Sequence, residues 1–393
     1  MSTNVVVIGS GYAGAGAVKA FEEEIEPGEA TLTWVSEHDY HLVLHEVHRC
    51  IRDPSVESKV AIPVEEIKDD STEFRKGRVT DVDTDERTVE TEDGADIDYD
   101  YLLVGVGSAT AFYGIDGLRE HSLTLKGLDD AREIHRELET AAEDATEMDP
   151  ATVLVGGAGL SGIQAAGEIA EYRDATRSPI DISLVEGLDE VFPGNDPEVQ
   201  GALRKRLLGK DIDILTGDFI SKVDEDAAYL GGGEDEEPEE LPYDILLWTG
   251  GITGQEEITE VDLEKDERSN RVFAESTFET SDDRVFAIGD SALIDQGDDD
   301  VAPPTAQAAW QAAEVAGENL ARAVRGAPLR SWQHDDKGTV ISVGEQAVAH
   351  DVQGVPINTF GGTGAKLLKK AIAARWIASV SSYGRGLNAW GDM

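Results

Sequence analysis

Four histidines and a cysteine lie close together near the start of the chain, in the stretch EHDYHLVLHEVHRC (37–50). The histidines are half of the eight in the chain, and Cys50 is its only cysteine. They are His38, His41, His45 and His48. On a helix, spacings of three and four residues place side chains on one face. The pattern is compatible with a metal site, with a redox cysteine beside a histidine base, or with neither.

Two glycine-rich segments supply a second kind of chemistry. They are VVVIGSGYAGAGAVKAF (5–21) and TVLVGGAGLSGIQAAGEIAEY (152–172), and each reads as an apolar strand, a glycine turn and an alanine-rich helix. In such a unit the first glycine makes the turn, the second admits a pyrophosphate, and the third lets helix and strand pack closely. The matching glycines are Gly9, Gly11 and Gly14 in the first segment, and Gly157, Gly159 and Gly162 in the second. The sequence therefore predicts two dinucleotide-binding units.

Each unit is followed by a second strand with an acidic residue near its end. Glu186 ends DISLVE, where a carboxylate can accept a hydrogen bond from a ribose 2′-OH, and Gly187 rather than an arginine follows it. This arrangement favours NADH over NADPH. In the first unit the spacing from Gly9 to Glu37 nearly equals that from Gly157 to Glu186, so Glu37 is predicted to be the corresponding ribose contact.

Composition limits the function classes. The 393 residues include 81 acidic and 33 basic side chains, a formal net charge of −48 that argues against nucleic-acid binding. Salt would screen such a charge, which suggests a salt-loving organism such as a halophilic archaeon. One cysteine permits neither an internal disulfide nor a dithiol redox pair. No signal peptide is visible, and no uncharged apolar run reaches the ~20 residues of a membrane span.

A third motif indicates which dinucleotide each unit binds. RVFAIGDSA (284–292) is an apolar strand that ends in Gly289-Asp290, and it resembles the second FAD signature of flavoproteins that bind two dinucleotides. FAD is then expected on the first unit and the nicotinamide on the second. The predicted fold class is α/β, with two Rossmann-like domains and a small C-terminal α+β region. The predicted boundaries are 1–115 and 256–328 for the FAD domain, 116–255 for the NADH domain, and 329–393 for the C-terminal region.

Nearly the whole chain resembles the type II NADH dehydrogenases, the single-subunit FAD-dependent NADH:quinone oxidoreductases. The segments that carry the resemblance are DYHL (39–42), DYLLVGVGSAT, LVEGLDEVFPGNDPEV, DILLWTGGIT and PPTAQAAWQAAEVAGENLA (303–321), the last of which contains the A-Q-x-A-x-Q pattern at 306–311. The resemblance implies that a hydride passes from NADH to FAD, and then two electrons to a membrane quinone, without proton pumping.

The resemblance also implies cofactor contacts. For FAD these are Gly9, Gly11, Tyr12, Ala13, Gly14, Ser36, Glu37, His41, Val79, Gly107, Gly289, Asp290, Ala306 and Gln307. For NADH they are Gly157, Gly159, Gly162, Gln164, Glu186 and Gly251. There are two departures. Gln164 stands where the family often has a glutamate, and a glutamine side chain cannot act as an acid or a base. Alignment on DYH places Ser36, rather than Glu37, at the ribose position.

Four residues are predicted to act in catalysis. Gln307 and Gln311 can hydrogen-bond flavin or quinone carbonyls, but they cannot supply protons. His45, with Glu46 beside it, is predicted to be the proton source for the reduced quinone, because histidine titrates near neutral pH. The histidines 41, 45 and 48 are expected to start a helix that points towards the flavin or the quinone pocket. No metal is expected, because no second set of ligands is visible.

The C-terminal segment GAKLLKKAIAARWIASV (364–380) has a helical pattern with basic residues and an apolar stripe. Such a helix suits a membrane surface, which would place the protein on the cytoplasmic face of the cell membrane, where NADH is. Packing on the protein's own body or on a second subunit, as in a homodimer, is the alternative. In the second unit, GGGEDEEPEE (231–240) is predicted to be an exposed hairpin tip.

Two other functions fit the same motifs. One is a soluble NADH-dependent flavin reductase or oxidase acting on oxygen, a thiol or a small redox protein. Its thiol form would use a cysteine beside the flavin, but Cys50 lacks a partner and is predicted to be buried and structural. A sulfide:quinone oxidoreductase would need at least two cysteines. The other function is a non-catalytic flavoprotein that senses NADH.

Overall fold

The N-terminal apolar run forms the central strand of a parallel sheet. The structure is a computed structural model that describes residues 2–232, 237–391 and 393. Up to residue 110 its elements are β1 (Thr3–Ile8), α1 (Tyr12–Glu24), β2 (Ala30–Ser36), β3 (Tyr40–Leu42), α2 (Arg49–Arg52), α3 (Glu57–Val60), β4 (Ala61–Pro63), β5 (Glu73–Lys76), β6 (Val79–Asp83), β7 (Thr88–Thr91), β8 (Asp96–Asp98), β9 (Tyr101–Val104) and β10 (Ser108–Thr110). Residues 5–8 are buried, as expected for a parallel strand covered on both faces.

The second unit repeats the arrangement. Its elements are α4 (Leu118–His121), α5 (Leu128–Asp144), β11 (Ala151–Gly156), α6 (Leu160–Thr176), β12 (Ile180–Glu186), α7 (Pro197–Leu208), β13 (Ile212–Thr216), β14 (Ile220–Val223), β15 (Ala227–Leu230), β16 (Glu239–Pro242), β17 (Ile245–Trp248) and β18 (Ile252–Gly254). The parallel sheet has the order β13-β12-β11-β17. β15 and β16 pair antiparallel, and part of the predicted acidic tip, 233–236, lies outside the described residues.

The chain then returns to the first sheet. The elements are α8 (Glu256–Thr259), β19 (Val272–Ala274), β20 (Val285–Ala287), β21 (Ala292–Gly297), β22 (Asp300–Val301) and α9 (Ala306–Val324). β20 completes the order β20-β9-β1-β2-β5, in which neighbours are parallel. α9 packs closely on α1, because a Cβ on Gly317 would lie 2.5 Å from the Ala17 carbonyl oxygen. The sheet therefore unites the two chain segments predicted to form one domain, while the boundaries stay a prediction.

The C-terminal region consists of β23 (Thr339–Val343), β24 (Gln346–His350), β25 (Thr359–Gly361), α10 (Thr363–Val380) and α11 (Tyr383–Ala389). Its antiparallel sheet has the order β23-β24-β25 and packs on α6, where a Cβ on Gly167 would lie 2.4 Å from the Gly344 nitrogen. The α/β fold class with two Rossmann-like units is confirmed. Within the described ranges no helix combines the length and the apolar character that crossing a membrane requires.

The C-terminal helix does not separate its residues as an amphipathic stripe would require. Trp376 and Ile377 pack into the protein body, but Leu367 remains 48% exposed on the outer side. Lys369, expected on a basic surface, is buried. The helix therefore docks on its own body through one face and presents apolar side chains on another.

Candidate active site

The first glycine motif leaves an open, positively polarised space at the carboxyl end of β1. Gly9 has φ +100°, and its N–H donates to the Val35 carbonyl oxygen (2.8 Å). A Cβ on Gly11 would meet nothing within 4 Å in the described part of the chain, and Gly11 has no side chain with which to cap α1. The first N–H groups of α1 therefore remain available for an anion, and the space over Gly11 fits the close approach of a pyrophosphate.

The second motif repeats these features at the carboxyl end of β11. Gly157 has φ +94°, and Gly159 has open space where a Cβ would lie. A Cβ on Gly162 would lie 1.8 Å from the Gly157 carbonyl oxygen and 2.8 Å from Oγ1 of Thr249. α6 also begins without a side-chain cap. The residues present therefore fit a second dinucleotide.

Strand register corrects the equivalence predicted between Glu37 and Glu186. The N–H of Gly9 bonds Val35, and the N–H of Gly157 bonds Val185 in the same way, so that the next residues, Ser36 and Glu186, are equivalent. The Ser36 hydroxyl is buried and donates to Oγ of Ser10 (2.8 Å). Glu37 is the exposed residue after the strand. A ribose contact by either residue stays a prediction.

Glu186 lies directly beside the second glycine motif. Its carboxylate accepts hydrogen bonds from the N–H groups of Ala158 (2.8 Å) and Leu188 (3.0 Å). These bonds fix the carboxylate at the edge of the sheet, next to the space over Gly159. The position suits the predicted contact with an adenosine ribose.

Several of the predicted FAD contacts meet at one point of the first sheet. Gly289 (φ +71°) and Asp290 follow β20, and a Cβ on Gly289 would lie 3.1 Å from the Cβ of Ala13 in the glycine motif. The Ser108 hydroxyl, next to Gly107, donates to Oδ2 of Asp290 (3.3 Å). Ala306 begins α9 beside this point, and Val79 is buried at the start of β6.

The histidine cluster does not form one helical face. His41 lies in β3, His45 in a 3₁₀ turn (Leu44–Glu46), and His48 immediately before the four-residue α2. His41 is fully buried, with Nδ1 2.8 Å from the Ser10 carbonyl oxygen, while Nε2 accepts from Nε1 of Trp376 (2.7 Å). Burial lowers the pKa of His41 to about 4. His41 is therefore a neutral side chain that ties the glycine motif to the C-terminal helix.

His45 and Glu46 are ionised differently from the prediction. Burial lowers the pKa of His45 to about 4, so the imidazole is neutral near pH 7 and is a poor proton store. Burial raises the pKa of Glu46, but Lys369 and Arg49 lower it more, so the net shift is downward. Glu46 is therefore an anion and not a proton source. The catalytic role of His45 and Glu46 stays a prediction, and the lowered pKa values of both groups favour a proton held by another residue.

His45 contacts the glycine motif instead. Its Nδ1 is hydrogen-bonded to the hydroxyl of Tyr12. Its Nε2 is buried 3.6 Å from Oε1 of Glu46 and has no hydrogen-bond partner among the residues that the structure describes. Lys369 Nζ approaches the same Oε1 at 3.5 Å. Burial lowers the pKa of Lys369, although Glu46 opposes the shift. Lys369 can thus give up a proton more readily than an ordinary lysine, next to a histidine that can pass one on.

Glu46 and Lys369 belong to a chain of ion pairs between the two units and the C-terminal region. Arg49 Nε bonds Oε2 of Glu46 (2.5 Å), Arg52 Nε lies 3.2 Å from Oε2 of Glu168 on α6, and Arg52 also bonds Glu345 (2.8 Å). Burial raises the pKa of Glu168 to about 7, against the opposing effect of Arg52 and Arg49. The residues of this chain of ion pairs are Glu46, Arg49, Arg52, Glu168, Glu345, Lys366 and Lys369.

The two glutamines of α9 are committed to the C-terminal region. Gln307 accepts from the Lys337 N–H (2.7 Å) and donates to the Gly338 carbonyl oxygen (3.1 Å). Gln311 exchanges two hydrogen bonds with the backbone of Asp335 (2.8 and 3.0 Å). In this structure they hold the segment 335–338, and hydrogen bonds from them to flavin or quinone stay a prediction.

The remaining predicted residues have structural partners. The Gln164 amide donates to Oγ of Ser342 (3.2 Å), which also contacts Nε2 of His48 (3.0 Å). Gly251 is close to Tyr113, whose hydroxyl would lie 1.9 Å from an added Cβ. Cys50 is free and buried, as predicted, and burial raises its pKa to about 12. Among the described residues no three His, Cys, Asp or Glu side chains gather closely enough to hold a metal ion.

Sequence reasoning missed the residues that join these pieces. Arg52, Glu168 and Lys369 look like ordinary surface charges in the sequence, because their partners are far away along the chain. Arg49 pairs with the nearby Glu46, but the sequence does not show that this pair is buried. Lys126 is another residue that the sequence did not single out, although its Nζ donates a hydrogen bond to Oγ of Ser108. One signal in the sequence could have indicated that Lys369 is buried. Lys369 lies at a helical position whose neighbours four residues away on either side are apolar.

Comparisons with known proteins agree with this geometry. The family model described as "Pyridine nucleotide-disulphide oxidoreductase" matches residues 3–313. A type II NADH:quinone oxidoreductase of Staphylococcus aureus (strain NCTC 8325 / PS 47) is 28% identical over 394 residues, covering 97% of this chain and 96% of that protein. These matches support the resemblance to type II NADH dehydrogenases.

Solved structures share the fold at low identity. NDH2 from Plasmodium falciparum in complex with NADH superposes with a TM-score of 0.85 at 16% identity, covering 100% of this chain and 97% of that one. The sulfide:quinone oxidoreductase of Aquifex aeolicus gives 0.79 at 18% identity, covering 98% and 92%. Because the family model covers most of the chain, this protein belongs to the pyridine nucleotide-disulphide oxidoreductase family.

Proposed function

We propose that the protein is a type II NADH:quinone oxidoreductase, with FAD on the first unit and NADH on the second. One observation carries the proposal: a small cleft beside the second glycine motif is linked by hydrogen bonds to the Gly289-Asp290 motif of the first sheet. Ser161, inside the second motif, lines this cleft with Lys126, whose Nζ donates to Ser108, the hydrogen-bond partner of Asp290. The near full-length similarity to a protein of that name adds to it.

FAD, when bound, supplies the chemistry by which a hydride is taken from NADH and two electrons are passed on. The protein positions the reactants. The N-terminus of α1 and Gly11 receive one pyrophosphate, and the N-terminus of α6 and Gly159 receive the other. Ser108 and Asp290 meet the flavin's ribityl side in this assignment. Alignment of two bound reactants accounts for much of the rate in such a site.

The acceptor is proposed to be a quinone rather than a thiol. The rival that reduces a thiol needs a reactive cysteine, whereas Cys50 is buried and its pKa is about 12. The test is a steady-state assay of the FAD-loaded protein with NADH and a water-soluble quinone, compared with NADH and oxygen alone. We expect quinone-dependent loss of NADH. A rate equal to that with oxygen alone would favour the oxidase, and no NADH loss would favour the non-catalytic sensor.

The proton for the reduced quinone is proposed to come from Lys369 by way of His45. Lys369 Nζ and His45 Nε2 lie 3.5 and 3.6 Å from the same oxygen of Glu46. Glu46 stays ionised and holds the two groups, while the neutral imidazole of His45 relays the proton. In this assignment His45 relays the proton, whereas the sequence predicted it to be the proton source.

Glu186 is proposed to select NADH over NADPH. Replacing Glu186 with arginine removes the acceptor for a ribose hydroxyl and adds a partner for a 2′-phosphate. We expect kcat/KM for NADH to fall about tenfold or more, because a hydrogen bond to a charged group is worth about 1.5–3 kcal/mol, and kcat/KM for NADPH to rise. Asp181→Arg, an equal change of charge at the exposed start of the same strand, is the control. Unchanged preference in Glu186→Arg would remove Glu186 from the assignment.

The outer surface of α10 and α11 is proposed to rest on the cytoplasmic face of the membrane that holds the quinone. Its exposed apolar side chains are Leu367 (48%), Ile372 (37%), Tyr383 (82%), Leu387 (70%) and Trp390 (37%). Apolar side chains exposed together in this way mark interaction surfaces. A homodimer through this surface is the alternative, and light scattering distinguishes it.

Vesicle flotation tests the membrane surface. We expect wild-type protein to float with uncharged phospholipid vesicles in high salt, and a Tyr383→Glu/Leu387→Glu variant to bind at least about tenfold more weakly, because each buried apolar side chain contributes about 1.5–3 kcal/mol. Met148→Glu, at a 97% exposed position elsewhere, is the matched control. Equal flotation of the double variant and the control would contradict the proposal.

A further inference from the structure

Lys126 is a mostly buried cation placed between the two units, and it has no role in the chemistry proposed so far. It lies in the connection between the first sheet and α5, outside both glycine motifs. Its Nζ donates to Oγ of Ser108 (3.1 Å), and Ser108 donates to Oδ2 of Asp290 (3.3 Å). A small cavity of about 40 Å³ is lined by Lys126 together with Thr110, Ser161, Thr249 and Gly251. The ammonium therefore borders both predicted dinucleotide sites.

The local structure holds Lys126 in this position. Its backbone N–H donates to Oδ2 of Asp130, which also accepts from the Thr124 hydroxyl (3.2 Å). Burial lowers the pKa of Lys126, while Asp290 and Asp130 oppose the shift. Arg271 is another cation beside Asp290, and its Nε donates to the backbone carbonyl oxygen of Asp290 (2.9 Å). Lys126 is thus the cation bonded through Ser108 to the Asp290 carboxylate.

We propose that Lys126 is a positioning residue that sets the reduction potential of the flavin and orients Asp290 for the ribityl chain. The inference rests on the proposed function. A hydride carries one proton and two electrons, so the flavin gains one negative charge when NADH becomes NAD⁺. A fixed cation in a water-poor cleft stabilises that charge and favours reduction. A purely structural lysine would hold the loop but would leave the potential unchanged.

The test uses FAD-loaded protein and measures the flavin midpoint potential without quinone. We expect Lys126→Met to lower the potential, with the ratio of reduced to oxidised flavin falling about tenfold at fixed potential, which is about 30 mV for a two-electron couple. Lys126→Gln can still bond Ser108 but lacks the charge, and the same shift is expected. Lys126→Arg keeps the charge and should restore the potential. Ser108→Ala should weaken FAD binding and shift the potential less.

The control is Lys222→Met, at an exposed lysine on β14 that leaves the potential unchanged. Because the glutamine and arginine variants keep a polar side chain, the comparison does not depend on whether the methionine variant folds. A wild-type potential in folded, FAD-loaded Lys126→Gln would overturn the inference and leave the proposed function intact. A wild-type protein that binds no FAD, or whose flavin is not reduced by NADH, would instead refute the proposed function.

Discussion

The Gly14→Ala variant is expected to purify without FAD and to lose NADH oxidation. A Cβ on Gly14 would lie 1.9 Å from the Gly9 carbonyl oxygen, a distance that backbone atoms cannot tolerate. The turn after β1 must then open, which moves the N-terminus of α1 away from the pyrophosphate. Flavin absorbance per mole of folded protein measures the loss, and circular dichroism confirms the fold.

Two other glycine variants test whether the loss of FAD is specific to the first glycine motif. Gly162→Ala carries the equivalent clash with Gly157 in the second unit, so it should keep FAD and lose NADH binding. Gly201→Ala, at a helical position in α7 with open space around its Cβ, should keep both cofactors and gain up to about 1 kcal/mol of stability. A Gly14→Ala protein with a full complement of FAD would show that the cofactor lies elsewhere.

The Lys369→Met variant is expected to lose both stability and quinone reduction. It removes one partner of a buried pair and leaves Glu46 with Arg49 alone, which should cost about 3 kcal/mol of unfolding free energy. Quinone reduction should fall about 100-fold, the usual scale of lost general acid catalysis, whereas reduction of the flavin by NADH should not change. Urea unfolding and stopped-flow absorbance measure the two effects.

A neighbouring ion pair provides the control. Lys366 lies on the same helix but pairs with Glu345 near the surface, so Lys366→Met should cost no more than about 1 kcal/mol. His45→Ala should slow quinone reduction in the same way as Lys369→Met. Because the His45 pKa is about 4, a plot of the rate of this variant against pH should show no inflection between about pH 6 and 8. If Lys369→Met and His45→Ala both kept the wild-type quinone rate, the proton route would be wrong.

Local patterns predicted the two dinucleotide units well. Glycine turns at Gly9 and Gly157, strands of buried aliphatic residues and the Gly289-Asp290 motif depend on short stretches whose geometry is set by neighbours in sequence. The same local character made the α/β fold and the role of β20 in the first sheet predictable, because a buried parallel strand has few alternatives.

Spacing counted across a helix predicted the ribose contact less well than the local motifs predicted the dinucleotide units. The distance from glycine motif to ribose position includes a helix and a loop, and α1 has 13 residues where α6 has 17. Equal spacing therefore selected Glu37, whereas strand pairing selects Ser36. The prediction that His41, His45 and His48 start one helix was wrong for a related reason. A helical period was assumed at His41, but β3 pairs with β4 there.

Long-range partners could not be predicted at all. Lys369 looks like one of several basic surface residues, yet it is buried because Glu46, more than 300 positions earlier, neutralises it. Trp376 looks like an interfacial aromatic residue, but His41 accepts its indole hydrogen bond. A buried charge or polar group is stable only with its partner, so the burial of either residue follows from tertiary structure and not from the local pattern.

The most direct test of the whole assignment is an anaerobic titration of the FAD-loaded protein, first with NADH and then with a water-soluble quinone. We expect NADH to bleach the visible flavin absorbance and quinone to restore it, with equal amounts of NADH oxidised and quinone reduced. Flavin absorbance that NADH leaves unchanged, or that quinone fails to restore without oxygen, would contradict the assignment.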